Sequence, residues 1–440
     1  MICSANLAII IQLFVIFAKM SRLEFISADQ AVKCVKSGDH IHLSSIASVP
    51  QILVEALAKR GGELHDVHFH HFHTEGPAPY AQGGAFLDQG FFVGPNVRAN
   101  VQKGLADYLP VNLFETQLMY RNGALPCNVA MVQVSEPDQN GMVSLGTSVD
   151  CSPAALEVAE HRLAVINPNV PFAEGNLIPM HRFTALVQDN RPLLTNTYAE
   201  PSATDIEIGR HCAELIPDGA CLQMGIGSMP NAICACLKEH KHLGLHTEMF
   251  SDGAMALIKS GVMDGACKAI DKGKVVASFL LGSQEVYDFI DHNHSVLMKD
   301  IAYTNDPRII AQNPNMVSIN SAIEIDLTGQ VCADSIGERI YSGTGGQLDF
   351  VRGAKLSKGG KAIIAMASRT TKGVSKIVSV LKPGAGVVTP RADVQWVVTE
   401  WGAVNLYGKS LQERARLLIS IAHPDDRVWL ENAAYKRFNP

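Results

Sequence analysis

A carboxylate set between two glycine-rich stretches is the chemistry most visible in this chain. Glu248 lies in His246-Thr247-Glu248-Met249-Phe250-Ser251-Asp252-Gly253. Upstream stands Gly225-Ile226-Gly227-Ser228-Met229-Pro230, and downstream Ser342-Gly343-Thr344-Gly345-Gly346-Gln347-Leu348-Asp349-Phe350. Glycine lets backbone approach a ligand closely, and backbone N–H groups stabilise developing negative charge. Glu248 therefore fits a nucleophile surrounded by donors. A plainer reading also stands, in which Glu248 is a carboxylate near the start of the helix beginning around Met255, satisfied by that helix's free N–H groups. Ser251 and Asp252 compete for the capping position of the same helix.

Other chemistries are less well supported. His65, His68, His70, His71 and His73 cluster, and His68 with His70 shares a strand face. Metal binding needs further ligands at matching spacing, and only Glu75 is near, so no metal site is expected. Gly225-Ile226-Gly227 resembles part of a dinucleotide fingerprint but lacks its third glycine and a closing acidic residue, so NAD is discounted. No serine sits in a G-x-S-x-G turn. The net charge of −6 supplies no basic field for nucleic acid. The ten cysteines form no C-x-x-C pair, and most lie in apolar segments. That usage fits a reduced, cytoplasmic setting rather than a disulfide framework.

The elements that must position Glu248 repeat. Ser37-Gly38-Asp39 turns into the apolar run His40–Leu43, then a small-residue loop to Pro50, then a helix over 51–59. The pattern returns 180 residues on: Pro217-Asp218-Gly219, a strand over 220–224, the loop to Pro230, and a helix expected over 231–238. Ile46, Ser48, Pro50 and Leu57 match Ile226, Ser228, Pro230 and Leu237. Only the second copy has paired glycines. Further strands are expected over 66–70, 129–134, 142–145, 163–167, 274–280, 316–320, 323–327, 362–366 and 396–400, with helices over 27–36, 96–101 and 410–422. Continuous apolar strands with interleaved helices imply a mostly parallel sheet, and such sheets bind ligands beyond their strands' carboxyl ends.

At 440 residues two domains are expected, 20–200 and 205–440, with the linker inside 185–204. Residues 1–19 form an apolar extension too short for a comfortable membrane span. It lacks the leading positive charge of a signal peptide. Met20 reads as the working start, and no membrane partner is expected.

The ordered motifs around Gly225, Glu248 and Gly346 are followed by Thr399-Glu400-Trp401-Gly402 and Gly408-Lys409-Ser410-Leu411-Gln412-Glu413-Arg414-Ala415. Together they resemble the acetyl-CoA hydrolase/transferase family, and within it the class I CoA-transferases acting on 4-hydroxybutyrate or butyrate, over residues 20 to 435. The resemblance implies two related α/β domains with mostly parallel sheets and a homo-oligomer. It implies that coenzyme A is a substrate and that no cofactor is bound permanently. Glu248 matches the family's catalytic glutamate, which attacks an acyl-CoA and becomes a glutamyl-CoA thioester. A second, short-chain carboxylate resolves that thioester. A free carboxylate, with a pKa of about 4.3, is already ionised at neutral pH and needs no general base. By the same resemblance Gly225, Gly227, Gly345 and Gly346 supply backbone at the thioester and along coenzyme A, while Asn320 is a candidate for orienting Glu248. Glu400 has no assigned role. Leu105 stands where the family leads one to expect a basic residue, and Trp401 where it leads one to expect a tyrosine-like aromatic. Two alternatives remain: an acyl-CoA hydrolase, with water resolving the thioester, and a non-catalytic CoA-binding protein.

Overall fold

The computed structural model describes residues 24–438. The apolar extension 1–19 lies outside them. Two sheets organise the chain. The first is seven-stranded and wholly parallel: β1 (His40–Leu43), β2 (Val67–His70), β3 (Phe86–Gly90), β4 (Ala106–Tyr108), β5 (Val129–Val134), β6 (His161–Ile166) and β7 (Ala185–Gln188), in the order β7-β6-β5-β1-β2-β3-β4. The second is six-stranded: β8 (Cys221–Met224), β9 (Gly244–Leu245), β10 (Met316–Asn320), β11 (Lys361–Ala365), β12 (Trp396–Thr399) and β13 (Gly402–Asn405), in the order β9-β8-β10-β11-β12-β13. Only β13 runs antiparallel to its neighbour.

The repeat read from the sequence is a repeat of topology. β7-β6-β5-β1-β2 and β12-β11-β10-β8-β9 are the same five-strand order met twice. Leu43 of β1 pairs with Met131, and Gln223 of β8 with Ser318. Two residues further on, Gln133 and Asn320 occupy equivalent places.

The strands are apolar on both faces because both faces are covered. All six residues of β5 are buried. Ile41, Phe69, Val129, Met131 and Val165 pack into a cluster confined to the first half. Their alternates Ala130, Val132, Val134 and Ala164 enter a second cluster that also takes Leu222, Met224, Val317 and Ile319 from the other sheet. The far face of the second sheet, with Cys221, Met316 and Ile364, packs into a third. One core is thus shared between the halves, with an outer core on either side.

Residues 185–188 form the edge strand of the first sheet, and 189–202 run on without helix or strand, inside the span 185–204 expected to hold the linker. Two expectations shift. The helix expected over 231–238 runs over Ser228–Cys236 and so begins three residues earlier than periodicity predicts. The run 274–280 is two short strands, Val275–Ala277 and Phe279–Leu280, which pair with different partners. The break falls at Ser278, and its reason lies in the site: the N–H groups of Ser278 and Phe279 both donate to the carbonyl of Glu248, at 2.9 Å each. Among the described residues no helix is long and apolar enough to cross a membrane.

Candidate active site

Five helices bear on the site or flank it: α1 (Gln51–Ala58), α2 (Leu113–Arg121), α3 (Ser228–Cys236), α4 (Asp252–Lys259) and α5 (Gln347–Leu356). The backbone around Glu248 is pinned from several sides. His246 N–H donates to Leu222 O and Thr247 N–H to Val276 O, both at 3.0 Å. Thr247 Oγ1 donates to Met224 O at 3.1 Å, tying the preceding residue to the end of β8. Ser251, not Asp252, caps α4, accepting from Ala254 N–H at 3.2 Å. Asp252 turns to the hydroxyl and N–H of Ser283. Glu248 therefore stands outside α4 and does not cap it.

Two donors hold the carboxylate. Asn305 Nδ2 lies 2.9 Å from Glu248 Oε2, and the backbone N–H of Gly346 supplies the other. The Asn305 amide is locked: Thr304 Oγ1 donates to its Oδ1 at 2.9 Å, which leaves the NH₂ end facing the acids. That NH₂ also lies 3.3 Å from Asp349 Oδ2, in the first turn of α5. The same Asp349 oxygen accepts from Phe114 N–H in α2 at 3.0 Å. Thr304 is fixed in turn by His246, whose Nε2 meets its carbonyl at 2.9 Å. Burial holds the His246 imidazole down at about 4, so it is neutral.

Asn320 was expected to orient Glu248. Its Nδ2 donates to Gln223 Oε1 at 3.1 Å, one strand away. Both amides sit at strand ends of one sheet and satisfy each other, while Asn305, on the segment between Ile301–Thr304 and Pro307–Ile310, reaches the acid. Asn305 is a residue the sequence reading missed. Asn305-Asp306-Pro307 reads only as a capped turn, and Asp306 does cap the next helix.

The ionisation of Glu248 also differs from expectation. Burial pushes its carboxyl up to about 7, against the pull of Asn305 and Gly346 toward the charged form. The residue keeps some exposed surface because it borders a cavity, but protein surrounds it on most sides. Asp349 is raised as well, first by burial and then by the negative charge of Glu248, with the N–H groups of Phe114 and Asn305 opposing. Among the described residues no lysine, arginine or histidine forms an ion pair with either acid.

The cavity measures about 310 Å³. Gly225, Gly227 and the start of α3 line it together with Glu248, Gln223, Asn320 and Ile319. α3 starts at Ser228 because Gly227 takes φ +118°, a conformation closed to most residues, and Pro230 is tolerated in the first turn. Gly345 and Gly346 lie outside that lining, and Gly346 stands against the carboxylate itself. A Cβ on Gly346 would collide with Glu248 Oε2 and Asn305 Nδ2. Their loop is held by the first half of the chain: Leu113 N–H donates to Gly345 O at 3.0 Å, Thr344 Oγ1 to Val111 O at 2.6 Å, and Val93 N–H to Ser342 O at 3.0 Å. Glu400 stands apart from these contacts, accepting from Ser368 N–H at 2.9 Å.

The histidine cluster is engaged elsewhere. His40 stacks on His68 with ring centroids 4.4 Å apart. His68 meets Gln89 at 3.0 Å, and His71 meets Asp88 at 2.7 Å. His42, Asp150 and Cys151 bring candidate ligand atoms within 4.8 Å of one another. Tyr120 and Ser152 already take both nitrogens of His42, however, and Ser148 and Ser152 hold Asp150.

Residues 20–195 match the acetyl-CoA hydrolase/transferase N-terminal domain, and residues 282–434 its C-terminal domain. The chain belongs to the acetyl-CoA hydrolase/transferase family. It is 44% identical to the succinyl-CoA:acetate/propanoyl-CoA:succinate CoA transferase of Fasciola hepatica, over 93% of this chain and 87% of that one. To the 4-hydroxybutyrate coenzyme A transferase of Clostridium kluyveri it is 42% identical, over 94% and 98%. The structure of RipA from Yersinia pestis superposes with a TM-score of 0.90 at 35% identity, over 96% of this chain and 99% of that one. Relatives of this identity and coverage make the chain an enzyme of the CoA-transferase type.

Proposed function

We propose that this enzyme moves coenzyme A between an acyl-CoA and a short-chain carboxylate through a thioester on Glu248. The observation that carries the reading is the setting of that carboxylate. Its backbone is fixed on three sides, two donors aim its oxygens, and it borders a cavity at the carboxyl ends of parallel strands. In the first half-reaction Glu248 attacks the thioester carbonyl, and the CoA thiolate leaves to give a mixed anhydride. The thiolate then attacks the glutamyl carbonyl, the acid departs as its carboxylate, and a glutamyl-CoA thioester remains. A second carboxylate reverses these steps, giving ping-pong kinetics. The backbone of Gly227, Gly345 and Gly346 is assigned to the oxyanion and the coenzyme. Coenzyme A is a substrate in this scheme, with no resident cofactor.

The acids assigned are 4-hydroxybutyrate, butyrate or acetate. The apolar side of the cavity, with Ile319, Ile233 and Met229, suits a short aliphatic chain. We assign the enzyme two domains, 20–200 and 205–440, a cytoplasmic location and an assembly of several copies of this chain, with no membrane or nucleic-acid partner. The test is intact mass after mixing with butyryl-CoA and treating with borohydride. Reductive cleavage of a glutamyl thioester converts Glu248 to an alcohol, a loss of about 14 Da by atom counting along the covalent route. An unchanged mass, or a change at another residue, overturns the assignment. Turnover that continues without any carboxylic acid identifies a hydrolase instead.

A further inference from the structure

Glu248 and Asp349 come from elements about a hundred residues apart in the chain, yet one side-chain nitrogen serves both. Asn305 Nδ2 is 2.9 Å from Glu248 Oε2 and 3.3 Å from Asp349 Oδ2. Asp349 is 5% exposed, and Glu248 faces protein on every side but the cavity. The groups facing Asp349 are the N–H of Phe114 from α2, the amide of Asn305, and two acids, Glu248 and Glu115. None is a cation. Two carboxylates this close, this deep and without a counter-ion do not both ionise near neutrality, because each charge adds repulsion to the other's desolvation cost.

We propose that Glu248 and Asp349 hold a single proton between them, and that forming the glutamyl-CoA thioester sends that proton to solvent. This rests on the thioester reading of Glu248. In the attacking state Glu248 is the anion and Asp349 carries the proton. Once Glu248 carries CoA as a thioester it is neutral. The repulsion on Asp349 then ends, and the Asn305 amide can favour an anion at Asp349 in place of the one lost at Glu248. Asp349–COOH becomes Asp349–COO⁻, and the proton passes to buffer. The acyl exchange is otherwise proton-neutral, since one carboxylate is consumed and one released. The second half-reaction regenerates anionic Glu248, and Asp349 takes a proton back. Asp349 is a positioning residue in this scheme: it touches Asn305 rather than substrate, and it keeps charge on the pair constant through the cycle. Such a pair titrates as a unit rather than as two separate acids.

The experiment is a single turnover with enzyme and butyryl-CoA in weak buffer near pH 8, no acceptor acid present, followed with a pH indicator. The glutamyl thioester is counted in parallel by borohydride trapping. The expected result is release of a large fraction of one proton per trapped thioester by the unmodified enzyme, and none by Asp349→Asn. Because Asp349 is neutral in the attacking state, the variant's acid limb of kcat/KM for butyryl-CoA should stay in place. A purely structural role for Asp349 lowers the variant's rate and predicts no proton release per trapped thioester from either enzyme. Thioester without proton release overturns the shared proton while sparing the covalent route. No thioester at all overturns both. Should Asp349→Asn fail to fold, the proton count on the unmodified enzyme still decides.

Discussion

Thr304 Oγ1 donates to Asn305 Oδ1 at 2.9 Å, and this bond decides which end of the amide meets the carboxylate of Glu248. An asparagine rotated by half a turn would point a carbonyl oxygen at Glu248 and repel it. Asn305→Ala removes a donor to a charged group, worth about 1.5–3 kcal/mol, so thioester formation should slow by about 10- to 100-fold. Thr304→Val keeps the amide but frees its rotation, and the loss should be several-fold smaller. Single-turnover rates with butyryl-CoA measure both. Equal losses would show that Thr304 acts on the fold rather than through Asn305.

The raised pKa of Glu248 makes a prediction of definite sign. The attacking form is the carboxylate, so kcat/KM for the acyl-CoA should fall as pH drops through about 7, well above the range of an ordinary glutamate. Stability runs the other way. A folded-state value raised above the unfolded one stabilises at low pH, and that contribution is lost as pH rises through about 7. Glu248→Gln should therefore raise Tm at pH 8, by a free energy on the order of 2 kcal/mol, and change it little at pH 4.5. Thermal melts at the two pH values check this, and an equal shift at both would contradict the buried-charge account.

The glycines divide by what stands beside them. Gly225 has open space where a Cβ would go, so Gly225→Ala should fold normally and alter only the cavity. Gly227 has space too but sits at φ +118°, and Gly227→Ala should cost about 1 kcal/mol of strain. Gly346 is the reverse case. A methyl there would occupy the place of the Glu248 carboxylate, so Gly346→Ala should cut thioester formation by about 100-fold or more through displacement of the reacting atoms. Crude stability, followed by Tm, should rank the three differently from activity.

Much of this was legible before any coordinates. The strand–loop–helix repeat at Pro50 and Pro230 predicts two sheets of one topology, because glycine, proline and apolar runs are local signals. The proximity of Glu248 and the 342–346 loop could be read only from a family resemblance. No spacing rule brings residues about a hundred positions apart to one point. Asn305 was illegible for the same reason: an asparagine before Asp-Pro looks like turn chemistry, and its bond to Glu248 exists only through tertiary packing. Asn320 stood out because it ends a strand facing the cavity. Its partner is set by register, which pairs β8 with β10 and puts Gln223 within reach. The ionisation of Glu248 could not be inferred from residue type, since burial sets it.

Asn320 supplies the counterpart to Asn305. It lines the cavity but donates to Gln223 at 3.1 Å rather than to Glu248. Removing it should leave the pH at which Glu248 ionises where it was, because none of the groups that set that acidity is touched. What changes is the cavity wall and the freedom of Gln223, a buried amide that would lose its partner. Asn320→Ala should thus raise KM for acyl-CoA or for the acceptor acid while the acid limb of kcat/KM stays within a few tenths of a pH unit. Asn305→Ala, which strips a donor from the anion, should move the same limb upward. Parallel pH profiles of the two variants separate the amide that shapes the cavity from the amide that holds the acid. A limb displaced equally in both would mean that the Gln223–Asn320 pair communicates with Glu248 after all, through the end of β8 and its bond to Thr247.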